Sequence, residues 1–345
     1  MQTIRTTKVL ILLFSIFSFL SCTNLNESKF SYFSEQFADL KILRYQIPGF
    51  ENLSLDQKKL VYYLTEAGLS GRDIMYDQNY RHNLKIRRAL ENIHISYQGD
   101  KNNNQWKAFE IYLKRIWFSN GIHHHYSNDK FIPGFSSEYL QELLDETNIK
   151  LEKEAFNVIF NKEDGKKVNR DATKGIVKGS AVNFYDPDIT EKEVDTFYEN
   201  LLVPNPKKPI SLGLNSKLVK VNGGLEEKVW KKGGMYSASI EKIIQNLELA
   251  KKYAENEKQA DAFELLIKYY ETGDLEIWDD YNVAWVETTE GDVDYINGFI
   301  EVYNDPKGYR GSYESVVQIK DFEMSKKMSA ISNEAQWFED NSTIM

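Results

Sequence analysis

Three consecutive histidines, His123, His124 and His125, make up most of the five histidines in the chain and are its most obvious candidates for metal binding. Neutral imidazole is a common ligand of zinc. Adjacent side chains point about 100° apart on a helix and to opposite faces of a strand, so at most two of the three can reach one ion. The spaced His-x-x-x-His pattern of zinc sites is absent. Two interpretations stay open: a metal site, or a loop whose rings pack, hydrogen-bond or face a cleft.

Other kinds of catalytic site have little support. The only cysteine, Cys22, lies in the N-terminal segment, and there is no Gly-x-Ser-x-Gly motif for a serine nucleophile. The formal net charge of −9 argues against nucleic acid as a partner, since phosphate binding favours a basic surface. Hydrophobic residues form 41% and charged residues 28% of the chain, which is typical of a folded globular protein. These motifs leave the function open.

The first 22 residues have the three-part form of an export signal. Arg5 and Lys8 are followed by an apolar run, Val9–Phe19, that is too short to span a bilayer, and then by Cys22 directly after Ser21. This resembles the lipobox of bacterial lipoproteins. We therefore expect Cys22 to be lipidated and the protein to be exported and anchored on the periplasmic side of a membrane. The alternative is a buried N-terminal helix with an incidental cysteine.

Apolar periodicity and helix-capping residues predict a helix-rich α+β fold. Predicted helices cover residues 54–79, 83–97, 105–121, 136–148 and 190–202, and residues 236–274 with a break near Asn256. Ser54 and Thr190 each begin a capping box. Strands are predicted within residues 179–187, 210–223 and 313–322. A last amphipathic helix begins near residue 323 and reaches Met345 without a cap.

Three stretches resemble the N-terminal region of bacterial members of the dipeptidyl peptidase III family. They are "FADLKILRYQIPGFENLSLDQKKLVYYLTEAGLSGRDIMYDQN", "WKAFEIYLKRIWFSNGIHHHYS" and "VDYINGFIEVYNDPKGYRGSYESVVQI". The third is the most specific, because ten of its residues fall in a block shared by the family: Asp294, Gly298, Phe299, Ile300, Glu301, Tyr303, Asp305, Pro306, Arg310 and Gly311. The likeness extends from about Phe37 to the last residue.

The resemblance implies a zinc exopeptidase that releases dipeptides from the N-termini of short peptides. Family members have two lobes around a wide cleft, one holding zinc and the other containing a small β-barrel surrounded by helices. Zinc is bound through a His-Glu-x-x-Gly-His helix and a later Glu-Glu motif. This chain contains no His-Glu dipeptide, and Glu226-Glu227 stands in an unrelated context.

We therefore expect an N-terminal portion of the enzyme that is inactive alone, binds no zinc and needs a missing C-terminal half. The alternative is a non-catalytic peptide-binding lipoprotein. The expected domains are a signal peptide and lipobox (1–22), a tether (23–36), a peptide-binding lobe of helices and β-barrel (37–320), and the start of a truncated zinc lobe (321–345).

The same resemblance implies substrate contacts along the third stretch. Asp294 falls where the family has an acidic residue placed to meet the free ammonium of the peptide, and a carboxylate suits that partner. Where eukaryotic members have a tyrosine two residues later, this chain has Ile296, so Tyr295 and Asn297 are further candidates for peptide contact. The alternative is a plain barrel strand with alternating core residues.

Overall fold

The computed structural model describes residues 30–163, 165–201, 205 and 207–343. The chain divides into two compact units, residues 1–46 and 47–345. The described part of the first unit is a small antiparallel hairpin of strands β1 (Phe33–Phe37) and β2 (Leu40–Leu43). The second unit holds every described helix. The predicted helix-rich α+β class is confirmed.

The second unit contains twelve α-helices among the residues that the structure describes. They are α1 (Leu55–Ser70), α2 (Arg72–Asn79), α3 (Asn83–Ser96), α4 (Asn104–Ser119), α5 (Ser137–Thr147), α6 (Lys153–Phe160), α7 (Glu191–Glu199), α8 (Ser237–Lys251), α9 (Glu257–Thr272), α10 (Leu275–Glu287), α11 (Phe322–Asn333) and α12 (Ala335–Asn341). Helices α6 and α10 were not predicted from the sequence.

Both predicted capping boxes are present. Ser54 accepts a hydrogen bond from the amide of Gln57 and Thr190 from that of Glu193, while each N3 side chain bonds back to the cap. The predicted break near Asn256 is also confirmed, since Asn256 caps α9. These helix starts are local features, which explains why the sequence predicts them.

The helix predicted over residues 54–79 is in fact two helices, because the chain breaks at Gly71. A Cβ atom on Gly71 would lie 2.0 Å from the ring of Tyr313. Glycine at this position therefore lets the helix closely approach the strand that begins at Tyr313. This contact fixes that strand, which belongs to the pair on which the candidate site is built, against helix α1.

The remaining strands form two further antiparallel pairs. They are β3 (Ser216–Val221) with β4 (Gly224–Val229), and β5 (Val293–Phe299) with β6 (Tyr313–Ile319). The described strands form two-stranded sheets only, with no closed barrel among them. The β5–β6 pair packs on α1, so a helix, and not another sheet, covers this pair.

No strand forms over the predicted stretch 179–187, apart from one isolated bridge between Tyr185 and Leu218. Its backbone donors are divided among separate partners. Ala181 donates to the carbonyl of Lys166, and Asn183 to that of Gln78. A strand needs one continuous partner, and this segment has several.

Two clusters of buried side chains form the core of the second unit. The larger cluster joins α1, α8, α9 and α10 to the β5–β6 pair and includes Trp230, Tyr270 and Phe299. The smaller one joins α3, α4, α5 and α6 and is centred on Trp106 and Phe109. The candidate site lies at the edge of the larger cluster.

The predicted signal peptide and lipobox, with Cys22, lie outside the described residues, as do the first residues of the predicted tether and Met345. Strand β1 begins at Phe33, within the stretch predicted as a tether. Among the residues that the structure describes, none of the helices has both the length and the apolar character that crossing a bilayer requires.

Candidate functional site

Strand β5 carries all three residues predicted to contact peptide. It pairs with β6 in a register that sets Asp294 opposite Gln318 and Asn297 opposite Ser315. Tyr295 and Asn297 are buried, whereas Asp294 is exposed. Since side chains alternate along a strand, Asp294 lies on the opposite face from the other two. The structure therefore does not bring the three side chains together.

The carboxylate of Asp294 is held in place on one side only. Its Oδ1 atom accepts a hydrogen bond from Nε1 of Trp285, on α10, at 2.9 Å and from the amide of Tyr295 at 2.8 Å. Its Oδ2 atom accepts none from any residue in the described part of the chain. Only one oxygen of this oriented carboxylate is therefore engaged by the described residues. Burial, and secondarily the negative charge of Asp294, raise the pKa of the neighbouring Tyr281 well above its ordinary value.

Asp294 lines a pocket of about 260 Å³ between α9, α10 and the entry to β5. The charged side chains of its lining are Glu290, Asp292, Asp294 and Lys320. Three carboxylates against one ammonium give the pocket a net negative charge, while Phe263 contributes an apolar wall. The arrangement suits a ligand with a cationic end.

The segment that enters β5 is fixed by the carboxylate of Glu255, which comes just before α9. One carboxylate oxygen accepts hydrogen bonds from the backbone amides of Asp292 and Val293, both at 2.8 Å. The other oxygen accepts Nε2 of Gln57, in the first turn of α1, at 2.8 Å. Charge-assisted bonds to backbone amides are strong, so Glu255 positions this wall of the pocket.

Tyr295 and Asn297 lie in the core of the unit. Tyr295 is buried beside Phe263, and part of it lines the pocket. Asn297 is 0% exposed; its amide group donates to the hydroxyl of Tyr313 at 2.8 Å and its carbonyl accepts from the hydroxyl of Tyr270. Asn297 therefore supports the strand from inside, and a ligand in the pocket would meet Asp294 first.

The three histidines form a turn that is bonded to the protein backbone. His123 is buried, with Nε2 at 3.1 Å from the carbonyl oxygen of Gly165. Nδ1 of His124 accepts the amides of Tyr126 at 3.1 Å and Ser127 at 3.0 Å. His125 is exposed and stacks on His124. This geometry agrees with the second interpretation of the three histidines, a loop whose rings pack and form hydrogen bonds.

The described residues contain no group of three or more His, Cys, Asp or Glu side chains that could hold a metal ion. A catalytic zinc site needs three protein ligands and an open position. The described part of the chain therefore does not fit the zinc implied by the resemblance.

Comparison with known proteins decides the family. The profile of peptidase family M49 matches residues 175–340. Dipeptidyl peptidase 3 of Dictyostelium discoideum is 24% identical over 248 residues, and that of Nematostella vectensis is 32% identical over 103 residues. These alignments cover 66% and 30% of the chain. The chain belongs to the dipeptidyl peptidase III family.

Two solved structures from this family have the same fold. That of dipeptidyl peptidase III from Caldithrix abyssi has a TM-score of 0.58 and 18% identity and covers 85% of the chain. That from Corallococcus sp. strain EGB has a TM-score of 0.58 and 16% identity and covers 86%. The chain spans 45% and 44% of these two proteins and 35% of the Dictyostelium protein.

The family block also contains the charged residue Arg310, which is 0% exposed. Its guanidinium donates to the hydroxyl of Tyr185 at 2.9 Å and to that of Tyr198, and it lies over both rings. Tyr185 donates in turn to Asp305 at 2.8 Å. Asp305 also accepts the amides of Tyr309 and Arg310. This network fixes the connection between β5 and β6.

Sequence reasoning missed Trp285, Glu255 and Gln57 as parts of the site. Trp285 lies nine positions before Asp294, on an unpredicted helix. Gln57 and Asp292 are 235 positions apart. No local pattern marks such pairs, although the capping role of Gln57 was visible.

Proposed function

We propose that this chain is the peptide-binding part of a zinc-dependent dipeptidyl peptidase and holds the N-terminal end of short peptides. The observation that carries the proposal is the carboxylate of Asp294, which lines a net negative pocket and has one oxygen that accepts no hydrogen bond from the described residues. Membership of the dipeptidyl peptidase III family supports the reaction class, and relatives of about twice this length carry the name.

An exopeptidase must recognise a free α-ammonium group. A carboxylate pairs with an ammonium through charge-assisted hydrogen bonds, which are about twice as strong as neutral ones. Trp285 orients the carboxylate of Asp294, so little side-chain entropy is lost on binding. Lys320, directly after β6, also lines the pocket. Its positive charge repels any further cationic group of the ligand, which favours ligands with a single ammonium group.

The described residues supply no zinc site, so we assign this chain peptide binding and no step of hydrolysis. In the proposed enzyme, zinc ligands come from sequence outside this chain, as does the rest of the two-lobed architecture with its small barrel. Helices α11 and α12 support a contact with that further part. They bury no residue among those described and expose Met328, Ile331, Trp337 and Phe338.

The proposal is tested by isothermal titration of the purified chain with a tetrapeptide that has a free amino terminus. Asp294→Asn should weaken binding about tenfold, which corresponds to about 1.4 kcal/mol. Asp261→Asn removes the same charge from an exposed position of α9 outside the pocket and should change nothing. Equal affinity of the wild type and Asp294→Asn would remove Asp294 from the site.

The assignment of zinc to other sequence is tested by metal analysis of the same protein. We expect no stoichiometric zinc and no release of dipeptides from a dipeptidyl substrate in zinc-supplemented buffer. A zinc content near one per chain that is lost on His123→Ala and His125→Ala would restore the histidine turn as a metal site.

We also propose that Cys22 is lipidated, with the preceding residues removed, so that the protein is anchored to a membrane on the periplasmic side. The support is the sequence pattern of residues 1–22. Each buried CH₂ of a lipid chain contributes about 0.8 kcal/mol to membrane binding. Mass spectrometry should find the lipid on the wild type and unmodified precursor in Cys22→Ala; a soluble mature protein that begins elsewhere would contradict the proposal.

A further inference from the structure

A second cleft, which we call the basic cleft, lies between the histidine turn and the segment that follows α6. It has a volume of about 780 Å³. Its described lining consists of Tyr80, Arg81, Asp129, Lys130, Ile132, Lys162, Glu163, Gly165, Lys166, Asn169, Asp171, Lys174, Lys178, Gly179, Ser180, Ala181 and Pro187. None of these residues lines the pocket of Asp294. The two sites are therefore separate.

The charge of the basic cleft is opposite to that of the whole chain. Its described lining has six basic side chains, Arg81, Lys130, Lys162, Lys166, Lys174 and Lys178, and three acidic ones, Asp129, Glu163 and Asp171. The chain as a whole carries a formal net charge of −9. Such a local reversal of sign attracts anions.

Three of the six basic side chains are already engaged. Arg81 forms a salt bridge with Glu154 at 3.0 Å, and Lys166 forms one with Asp129 at 3.0 Å. Lys130 donates to the backbone carbonyl of Val158 at 2.7 Å. These contacts hold the walls of the cleft.

The other three, Lys162, Lys174 and Lys178, form no salt bridge and no side-chain hydrogen bond with the described residues. Asp171 is occupied by the amide and hydroxyl of Thr173, at 3.0 and 2.7 Å. The positive charge of the cleft is therefore only partly neutralised by the described residues.

The backbone that carries these lysines is fixed by many hydrogen bonds. Lys167 donates its amide to the carbonyl of Asn128 at 2.9 Å, and Ala181 donates to that of Lys166 at 3.0 Å. The Asn169 side chain donates to the carbonyls of Asp171 at 2.9 Å and Gly175 at 3.1 Å. The lysine backbones are thus pre-positioned, which lowers the entropy lost on binding.

The two sides of the cleft approach closely at a pair of glycines. A Cβ atom on Gly165 would lie 2.6 Å from the carbonyl oxygen of Gly179. His123 holds this point from behind through the carbonyl of Gly165. The histidine turn therefore has a structural role in the basic cleft. Lys167 adds a further basic residue next to the lining; it is 5% exposed, and burial lowers its pKa.

We propose that the basic cleft binds a small oxyanion with two or more negative charges, held chiefly by Lys162, Lys174 and Lys178. Lysine ammonium groups are compact point charges that pair with phosphate and carboxylate oxygens alike. The shared chemistry of the ligand is a cluster of anionic oxygens, and its source is a phosphate compound or a polycarboxylate. This binding is independent of the peptide pocket.

The test is titration calorimetry of the purified chain with tripolyphosphate and, separately, with citrate at low ionic strength. We expect saturable binding of at least one of the two, which weakens as salt is added. Removing two ammonium charges in the double variant Lys174→Gln, Lys178→Gln should weaken it about tenfold or more. Binding of tripolyphosphate alone would identify phosphate chemistry, and binding of both would identify a general oxyanion site.

The matched control is Lys326→Gln, Lys327→Gln, which removes two exposed lysines from α11. We expect its anion affinity to equal that of the wild type, and the peptide affinity of both double variants to be unchanged. The exposed lysine substitutions should leave the circular dichroism spectrum and melting temperature intact. Absence of saturable binding of either probe, or an equal loss in the control, would overturn the proposal.

Discussion

Two charged residues of the family block, Arg310 and Asp294, lie near the same pair of strands in opposite environments. Arg310 is fully buried, and its terminal nitrogens donate to Tyr185 and Tyr198. Asp294 is exposed and lines a pocket; its Oδ1 accepts hydrogen bonds from Trp285 and from the amide of Tyr295, and its Oδ2 accepts none from the described residues. Membership of the block alone would not distinguish them. Their surroundings assign Arg310 to the architecture and leave the carboxylate of Asp294 available for a ligand.

The comparison teaches that the number of protein partners separates a structural charge from one available for binding. A buried charge costs several kcal/mol in desolvation unless partners surround it, so Arg310 has little freedom to bind anything else. The exposed carboxylate of Asp294 is oriented through one oxygen only, by an indole and a backbone amide, and its other oxygen keeps the capacity to accept hydrogen bonds. The following predictions test that division.

The largest effect is expected for Arg310→Met. The substitution leaves Asp305 buried without its cationic neighbour, and breaking one side of a buried charged network costs about 3–5 kcal/mol. Chemical denaturation measures the free energy of unfolding. Lys320→Met removes the same charge from a half-exposed site and should cost about 0.5 kcal/mol or less. A loss in Arg310→Met no larger than that of Lys320→Met would show that the network is not structural.

A smaller effect on stability is expected for Asn297→Leu. The hydroxyls of Tyr270 and Tyr313 would each lose a buried partner, at a cost of about 1–3 kcal/mol in all. Peptide affinity, titrated well below the melting temperature, should stay the same. Asn92→Leu, on the exposed side of α3, is the control. A stable Asn297→Leu variant with weakened peptide binding would return Asn297 to the substrate-contacting residues.

Glu255→Gln should have a smaller effect, mainly on binding. The side-chain oxygen of the new glutamine can still accept a hydrogen bond from the amide of Asp292. Its NH₂ group, however, would face the NH₂ group of Gln57, and two donors cannot bond to each other. The pocket wall beside Asp292 would therefore be held less firmly. We expect about fivefold weaker peptide affinity, or about 1 kcal/mol. Glu248→Gln, exposed on α8, should bind as the wild type does. Full affinity in Glu255→Gln would show that this wall does not contribute to binding.

The sequence predicted those parts of the fold that depend on neighbouring residues. Both capping boxes and the break at Asn256 are encoded within four positions, and the alternation of β5 was visible as an alternative interpretation. The division of the first long helix at Gly71 was not predicted, because the close packing of Gly71 against Tyr313, far along the chain, leaves no local signal. The small barrel came from the family resemblance, and the described strands pair only two by two.

The candidate site was predictable only in part, for a similar reason. Asp294 was found through the family block, and the structure places it in a pocket. Glu255, Trp285 and Gln57 act through contacts between separate elements, which no local spacing reveals. Tyr295 and Asn297 were chosen because they are the neighbours of Ile296 in the sequence. In a strand, however, consecutive side chains point to opposite faces of the sheet, so these two residues do not share the face of Asp294.

The central claim, that Asp294 receives the free ammonium of the peptide, is tested most directly by combining its substitution with acetylation of the ligand. Wild type and Asp294→Asn are each titrated with the same tetrapeptide in free-amino and N-acetylated form. We predict that the wild type prefers the free amine by about tenfold, or about 1.4 kcal/mol, and that Asp294→Asn shows almost no preference. A preference that survives undiminished in Asp294→Asn would contradict the claim.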